Sequence, residues 1–319
     1  MTLPISRRGL GIGLAAGVPL VASALIELAR RPLLRVTVAG PELCGRRTVI
    51  KSPDVGPVHV RHIPGEEGWS LVLVHGWSGC ADVTWHAVAP QLAGGPNVWI
   101  IDLPGHGRAP LEGRFDLEDA ARRIALIVDL AKREGPVTLV GYSMGGAASL
   151  TGFHLGILDN VDRYFAVATA DRFATPSLSV KLWAARIIGA GDRSPFILRQ
   201  AWKRGKVSKR EMVAWILQNR PPSKVLAETA AVLSRFDLSG ALVDLPVDSE
   251  WIIADADSVI PVDEQVSSAQ RHGVPVLRLN ASHAVAMEHP IDLARILRTQ
   301  RKPSGPSRAL SEALPGEYV

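Results

Sequence analysis

Apolar runs and amphipathic stretches alternate along most of this chain. Five short segments are each built around a continuous apolar run: 70–75, 97–102, 136–141, 161–168 and 249–255. Such runs read as strands buried on both faces, the signature of a parallel sheet covered by helices. Further strands are expected at 47–51, 57–63 and 274–280, and helices at 84–93, 117–134, 144–156, 262–271 and 290–301. In 117–134 the apolar positions Ala121, Ile124, Leu126, Ile127, Leu130 and Ala131 alternate with Arg, Asp and Lys at helical spacing. The pattern predicts an α/β fold with a mostly parallel central sheet and helices on both faces.

Two segments break the alternation. Residues 171–245 carry helical stretches (Leu178–Ile188, Pro195–Trp202, Lys209–Asn219 and Lys224–Arg235) without a strand between them. The first thirty-five residues place Arg7-Arg8 before an apolar stretch from Leu10 to Ile26, with Ala22-Ser23-Ala24 near its end as a small-residue cleavage site. This resembles a twin-arginine export signal or a short membrane anchor, and residues 9–26 are the expected membrane-associating part. A buried or surface-lying helix of a cytoplasmic protein is the other reading. Residues 303–319 are rich in Pro, Ser and Gly and are expected to be disordered.

The chemistry concentrates at Gly141-Tyr142-Ser143-Met144-Gly145-Gly146, which follows the apolar run Pro136–Val140 and precedes an apolar helix from Ala147. Strand, Gly-x-Ser-x-Gly, helix is the layout of a nucleophile elbow, in which a serine is held out on a strained turn. Four more stretches frame it: Leu71–Trp77, Ile100–Arg108, Ala254–Pro261 and Ser282-His283.

Together these motifs resemble the α/β-hydrolase fold over residues 48–300, specifically its serine-nucleophile esterase and lipase group with a helical cap. Arg235-Phe236-Asp237 is similar to bacterial, especially actinobacterial, members. The resemblance implies a triad in the order nucleophile, acid, histidine. Ser143 is then the nucleophile. Of the later histidines (His154, His272, His283, His289), His283 alone lies in a loop just past an apolar strand, so it is the expected base. Asp257 is preferred as the acid for its Asp-x-x-x-Pro spacing; Asp255 competes from the same loop. The resemblance also implies oxyanion donors at the backbone N–H of Met144 and Trp77, and a cap over about 171–245. The Trp77 indole and Trp183 of the cap are expected to border an apolar acyl or alkyl pocket. His75 and His106 are read as structural. One departure stands out: Ser282 occupies the place before the histidine where the family usually has glycine.

Composition narrows the rest. The formal charge of +5 includes the N-terminal arginines and comes with no nucleic-acid motif. The basic run Lys203–Arg210 reads as a solvated turn rather than a contact with anionic lipid. Two cysteines, Cys44 and Cys80, make no disulfide framework or metal-ligand spacing, and no cofactor or metal is expected. A haloalkane dehalogenase is excluded, because the elbow carries a serine and not a carboxylate. The expectation is a hydrolase cleaving a carboxylic ester through an acyl-enzyme. Other uses of the same triad (perhydrolysis, lactone opening, C–C bond hydrolysis) and a non-catalytic binding protein are the alternatives.

Overall fold

The computed structural model describes residues 41–174, 215–216 and 218–299. The N-terminal segment, the C-terminal tail, Trp183, the basic run 203–210 and most of the expected cap lie outside them. Eight strands form one sheet: β1 (Arg46–Ser52), β2 (Gly56–Ile63), β3 (Ser70–Val74), β4 (Asn97–Asp102), β5 (Val137–Tyr142), β6 (Arg163–Val167), β7 (Glu250–Ala254) and β8 (Val276–Leu279). Their order is β1-β2-β4-β3-β5-β6-β7-β8. The pairings of β1 with β2 and β2 with β4 are antiparallel and the rest are parallel.

The helices are α1 (Ala81–Trp85), α2 (Ala89–Leu92), α3 (Leu117–Lys132), α4 (Met144–His154), α5 (Ser223–Leu233), α6 (Val262–Arg271), α7 (Val285–Glu288) and α8 (Pro290–Arg298). Period-two alternation on β3 splits the core. Val72 and Val74 face a layer with Ile124, Ile127 and Ala147 of α3 and α4, while Leu71 and Leu73 face Trp85, Leu92 and Leu297 of α1, α2 and α8.

The single helix expected at 84–93 is two short ones. Pro90 has no N–H for an interior helical bond, so α1 ends at Trp85 and α2 restarts with Pro90 in its first turn. The four-residue α7 carries too short a pattern to be read from sequence.

The strand order places the site. From β3 the chain crosses to β4 on one side and then to β5 on the other, so the loops after β3 and β5 diverge from neighbouring strand ends. A crevice at that switch point is where open α/β sheets bind ligands. The 171–245 excursion leaves and returns through a narrow neck. Arg172 bridges Asp237, Phe173 N–H donates to Phe236 O at 2.9 Å, and Leu238 N–H donates to Asp171 O at 2.8 Å. The buried Asp171 carboxylate also ties this neck to α6, accepting from Arg271 Nε at 2.9 Å and Ser268 Oγ at 2.8 Å. Among the described residues no helix is long and apolar enough to cross a membrane.

Candidate active site

Ser143 sits between β5 and α4 with φ 53° and ψ −115°, a conformation that residues with side chains seldom adopt. The surroundings hold it there. Its N–H donates to Val167 O at 2.9 Å, and its carbonyl accepts from Gly146 N–H and Thr169 Oγ1, each at 2.8 Å. The flanking glycines are required by close approach: a Cβ at Gly145 would lie 2.7 Å from the carbonyl oxygens of Val74 and His75. Met144 opens α4, so its N–H belongs to the first-turn donors that lack an acceptor within the helix. The positive end of the helix dipole lies at the same place.

Ser143 Oγ lies 3.0 Å from His283 Nε2, and His283 Nδ1 lies 2.7 Å from Asp257 Oδ2. The carboxylate can only accept when ionised, so Nδ1 carries the proton and Nε2 accepts from the serine hydroxyl. Asp257 is held on all sides. Oδ1 accepts the N–H groups of Val259 (2.7 Å) and Ile260 (3.0 Å), and Oδ2 also accepts from Gln265 Nε2 at 3.0 Å. Asp255, by contrast, pairs with Arg278 at 2.7 Å on the surface. The other histidines are engaged elsewhere: His272 with Asp171, His289 with Asp292, and His154 with Leu242 O.

The loop carrying His283 has two further supports. The Tyr142 hydroxyl donates to His283 O, tying the elbow's own strand to that loop. Ser282 meets Glu288 of α7 twice, through its N–H to Oε2 at 2.8 Å and its Oγ to Oε1 at 2.6 Å. Ser282 does not take a positive φ; among described non-glycine residues only Ser78, Ser143 and Ala168 do. The serine in place of glycine therefore carries no left-handed strain and gains a carboxylate partner.

The loop after β3 stands opposite. A Cβ at Gly76 would come within 2.9 Å of the Tyr142 ring and 3.2 Å of Ser143 Cβ, so only glycine brings this backbone so close to the elbow. Trp77 follows, half-buried, and Ser78 takes φ 63°. Beneath them the fully buried His75 bonds Gly76 O through Nδ1 (2.8 Å) and accepts Leu103 N–H at Nε2 (3.0 Å). Burial pulls the His75 pKa down to about 4 against that carbonyl bond, and burial with neighbouring His75 pulls His106 down to about 3. Both are neutral frame residues, as the sequence implied. Gln265, Tyr142 and Glu288 were not foreseen. Of these, only Tyr142 carried a sequence signal, as the residue before the serine.

A family model of the alpha/beta hydrolase family matches residues 71–296. The chain belongs to that family. Two curated relatives are pimeloyl-[acyl-carrier protein] methyl ester esterases. That of Aeromonas hydrophila is 27% identical over 251 residues, covering 72% of this chain and 94% of the relative. That of Methylococcus capsulatus is 28% identical over 253 residues, covering 72% and 93%. Among solved structures, a hydrolase from Pseudomonas aeruginosa is similar with a TM-score of 0.65 at 18% identity, covering 79% of this chain and 97% of that one. An esterase from Exiguobacterium antarcticum has a TM-score of 0.64 at 18% identity, covering 79% and 98%. At such identities the structural likeness speaks for the fold. Fold and relatives together are those of α/β-fold ester hydrolases.

Proposed function

We propose that this α/β hydrolase cleaves a carboxylic ester with an apolar acyl or alkyl part, through an acyl-enzyme on Ser143. The hydrogen-bonded line Ser143–His283–Asp257, on an elbow strained at the serine, carries the reading. A serine hydroxyl is a poor nucleophile at neutral pH, so His283 Nε2 takes its proton as Oγ attacks the ester carbonyl. Asp257 keeps the proton on Nδ1 and stabilises the imidazolium. The backbone N–H groups of Met144 and Trp77 receive the oxyanion. Collapse breaks the acyl–oxygen bond, and His283 returns its proton to the departing alcohol. Water then attacks the acyl-enzyme with the same base, releasing acid and free Ser143.

The methyl ester esterases among the relatives support an acyl ester as substrate. Trp77 and, in the expected cap, Trp183 are the residues assigned to its apolar part. Labelling with a fluorophosphonate probe, on wild type and Ser143→Ala, tests the reading. p-Nitrophenyl esters of increasing acyl length then size the pocket. Label lost only in the variant supports it. A folded wild type that takes no label overturns it in favour of a binding protein on a hydrolase scaffold. Membrane attachment or export through residues 9–26 is part of the proposal, tested by fractionating cells that express the chain with and without residues 1–35.

A further inference from the structure

Trp77 is the residue assigned above as the second oxyanion donor, and its side chain is held by α5. Indole Nε1–H donates to Thr229 Oγ1 at 2.7 Å and to Leu226 O at 3.2 Å, both on α5. The ring packs against Leu226, which is fully buried. Thr229 is equally buried, and its Oγ1 lies 2.9 Å from Val225 O and 3.1 Å from Leu226 O. A hydroxyl has one proton and two lone pairs. The proton goes to a helix carbonyl, and a lone pair is thereby aimed at the indole.

The loop needs such a hold. Ser78, next to Trp77, keeps φ 63°, a conformation that persists only where the surroundings impose it. Upstream, β3 and the close contact at Gly76 fix the backbone. Downstream, Asp102 accepts Ala81 N–H at 2.8 Å. Between these anchors the indole bond reaches 152 residues along the chain. It joins the loop after β3 to α5, which falls within the expected cap.

We propose that Thr229 and the Trp77 indole are positioning residues, through which α5 sets the direction of the Trp77 backbone N–H. α5 and the oxyanion donor then move together, and a group that shifts α5 changes turnover as well as affinity. The inference rests on the serine-hydrolase reading.

The test measures p-nitrophenyl butyrate kinetics, fluorophosphonate labelling rates and Tm for wild type, Trp77→Phe, Thr229→Val and Thr229→Ser. Trp77→Phe keeps a ring and loses the N–H; kcat should fall about tenfold, since small misplacements near the reacting centre are costly. Thr229→Val leaves Leu226 O as a weaker acceptor and should cost about fivefold in kcat with KM within about twofold. Thr229→Ser restores the lone pair and should recover kcat to within about twofold of wild type. Labelling should slow in the same ratios, because phosphonylation also places charge on that oxygen. The proposal falls if folded Thr229→Val labels at the wild-type rate, or if Thr229→Ser is as slow as the valine variant, which would indicate packing alone. It falls equally if Trp77→Phe lowers Tm and leaves kcat intact. A wild type that neither labels nor hydrolyses any ester removes the serine-hydrolase reading first, and this proposal with it.

Discussion

The two sides of Ser143 are built by different means. On the side of His283, the proposed base, side-chain hydrogen bonds do the positioning: Asp257, Glu288 and Tyr142 hold the His283 loop. On the side of Trp77, the proposed oxyanion donor, the means are close packing and backbone strain: Gly76 pressed on Tyr142, Ser78 at φ 63°, and neutral buried histidines beneath. The His283 side chain is 21% exposed, whereas His75 is wholly buried. A base must gain and lose a proton, so it needs charged partners and some access to solvent. A backbone donor has only to stay where it is, and dense packing achieves that without titrating.

The comparison breaks most visibly at the line itself. Ser143→Ala should abolish ester turnover and labelling. Asp257→Asn should lower kcat by about a thousandfold or more, because an amide favours the wrong tautomer of the base. Asp255→Asn, in the same loop, should stay within about twofold of wild type, since its surface pair with Arg278 contributes little. A large loss on Asp255→Asn with Asp257→Asn active would move the acid to Asp255 and undo the account of the base side.

Smaller effects sharpen it. Glu288→Ala removes both bonds to Ser282 and should lower kcat about fivefold, the worth of roughly 1 kcal/mol of positioning. Ser282→Gly keeps the bond from the backbone N–H and should cost about twofold. If the glycine variant proved the slower of the two, the carboxylate would not be the element that holds the loop.

The oxyanion side should show itself in stability against pH. His75 and His106 titrate near 6.5 when unfolded and, through burial, only at about 4 and about 3 when folded. Between those values the unfolded chain binds protons that the folded chain refuses, so stability is full above pH 6.5 and falls as pH drops toward 4. Asp102, raised by burial against bonds from Ala81 and Arg108 N–H, opposes this in part. Tm should fall on the order of 5 °C between pH 7 and 4.5. A flat profile would mean that these histidines are not the neutral frame described.

The sheet, the elbow and the His283 loop were legible because each depends on local pattern: apolar runs of strand length, glycines where backbones touch, a turn after a strand. Asp257 was preferred to Asp255 for its spacing to Pro261, and the structure puts Gln265 and two backbone N–H groups around its carboxylate. What escaped the sequence reading lies in contacts between distant segments. Nothing near Glu288 announces a bond to Ser282 across a four-residue helix, and Thr229 looks like an ordinary helix residue until Trp77 lies beside it. The break of the 84–93 helix could have been read from Pro90. Its apolar pattern on either side masked that signal.

The smallest expected effect is on Cys80, and it tests how tightly the oxyanion side is packed. The residue follows the loop directly as the N-cap of α1 and is 1% exposed. Burial, then the neighbouring Asp102 charge, pushes its thiol up to about 12. The thiolate is the reactive form, so at pH 8 almost none of Cys80 is available to an alkylating reagent. Cys44 is half-buried, and the chain has no third cysteine. Iodoacetamide on the native protein should therefore add one mass at most, on Cys44, with ester turnover changed by less than about twofold. Unfolding in guanidinium should raise the count to two. A second adduct under native conditions would show that the loop opens often enough to bare Cys80. The oxyanion side would then be the mobile half of the site, and the contrast with the base side would be reversed.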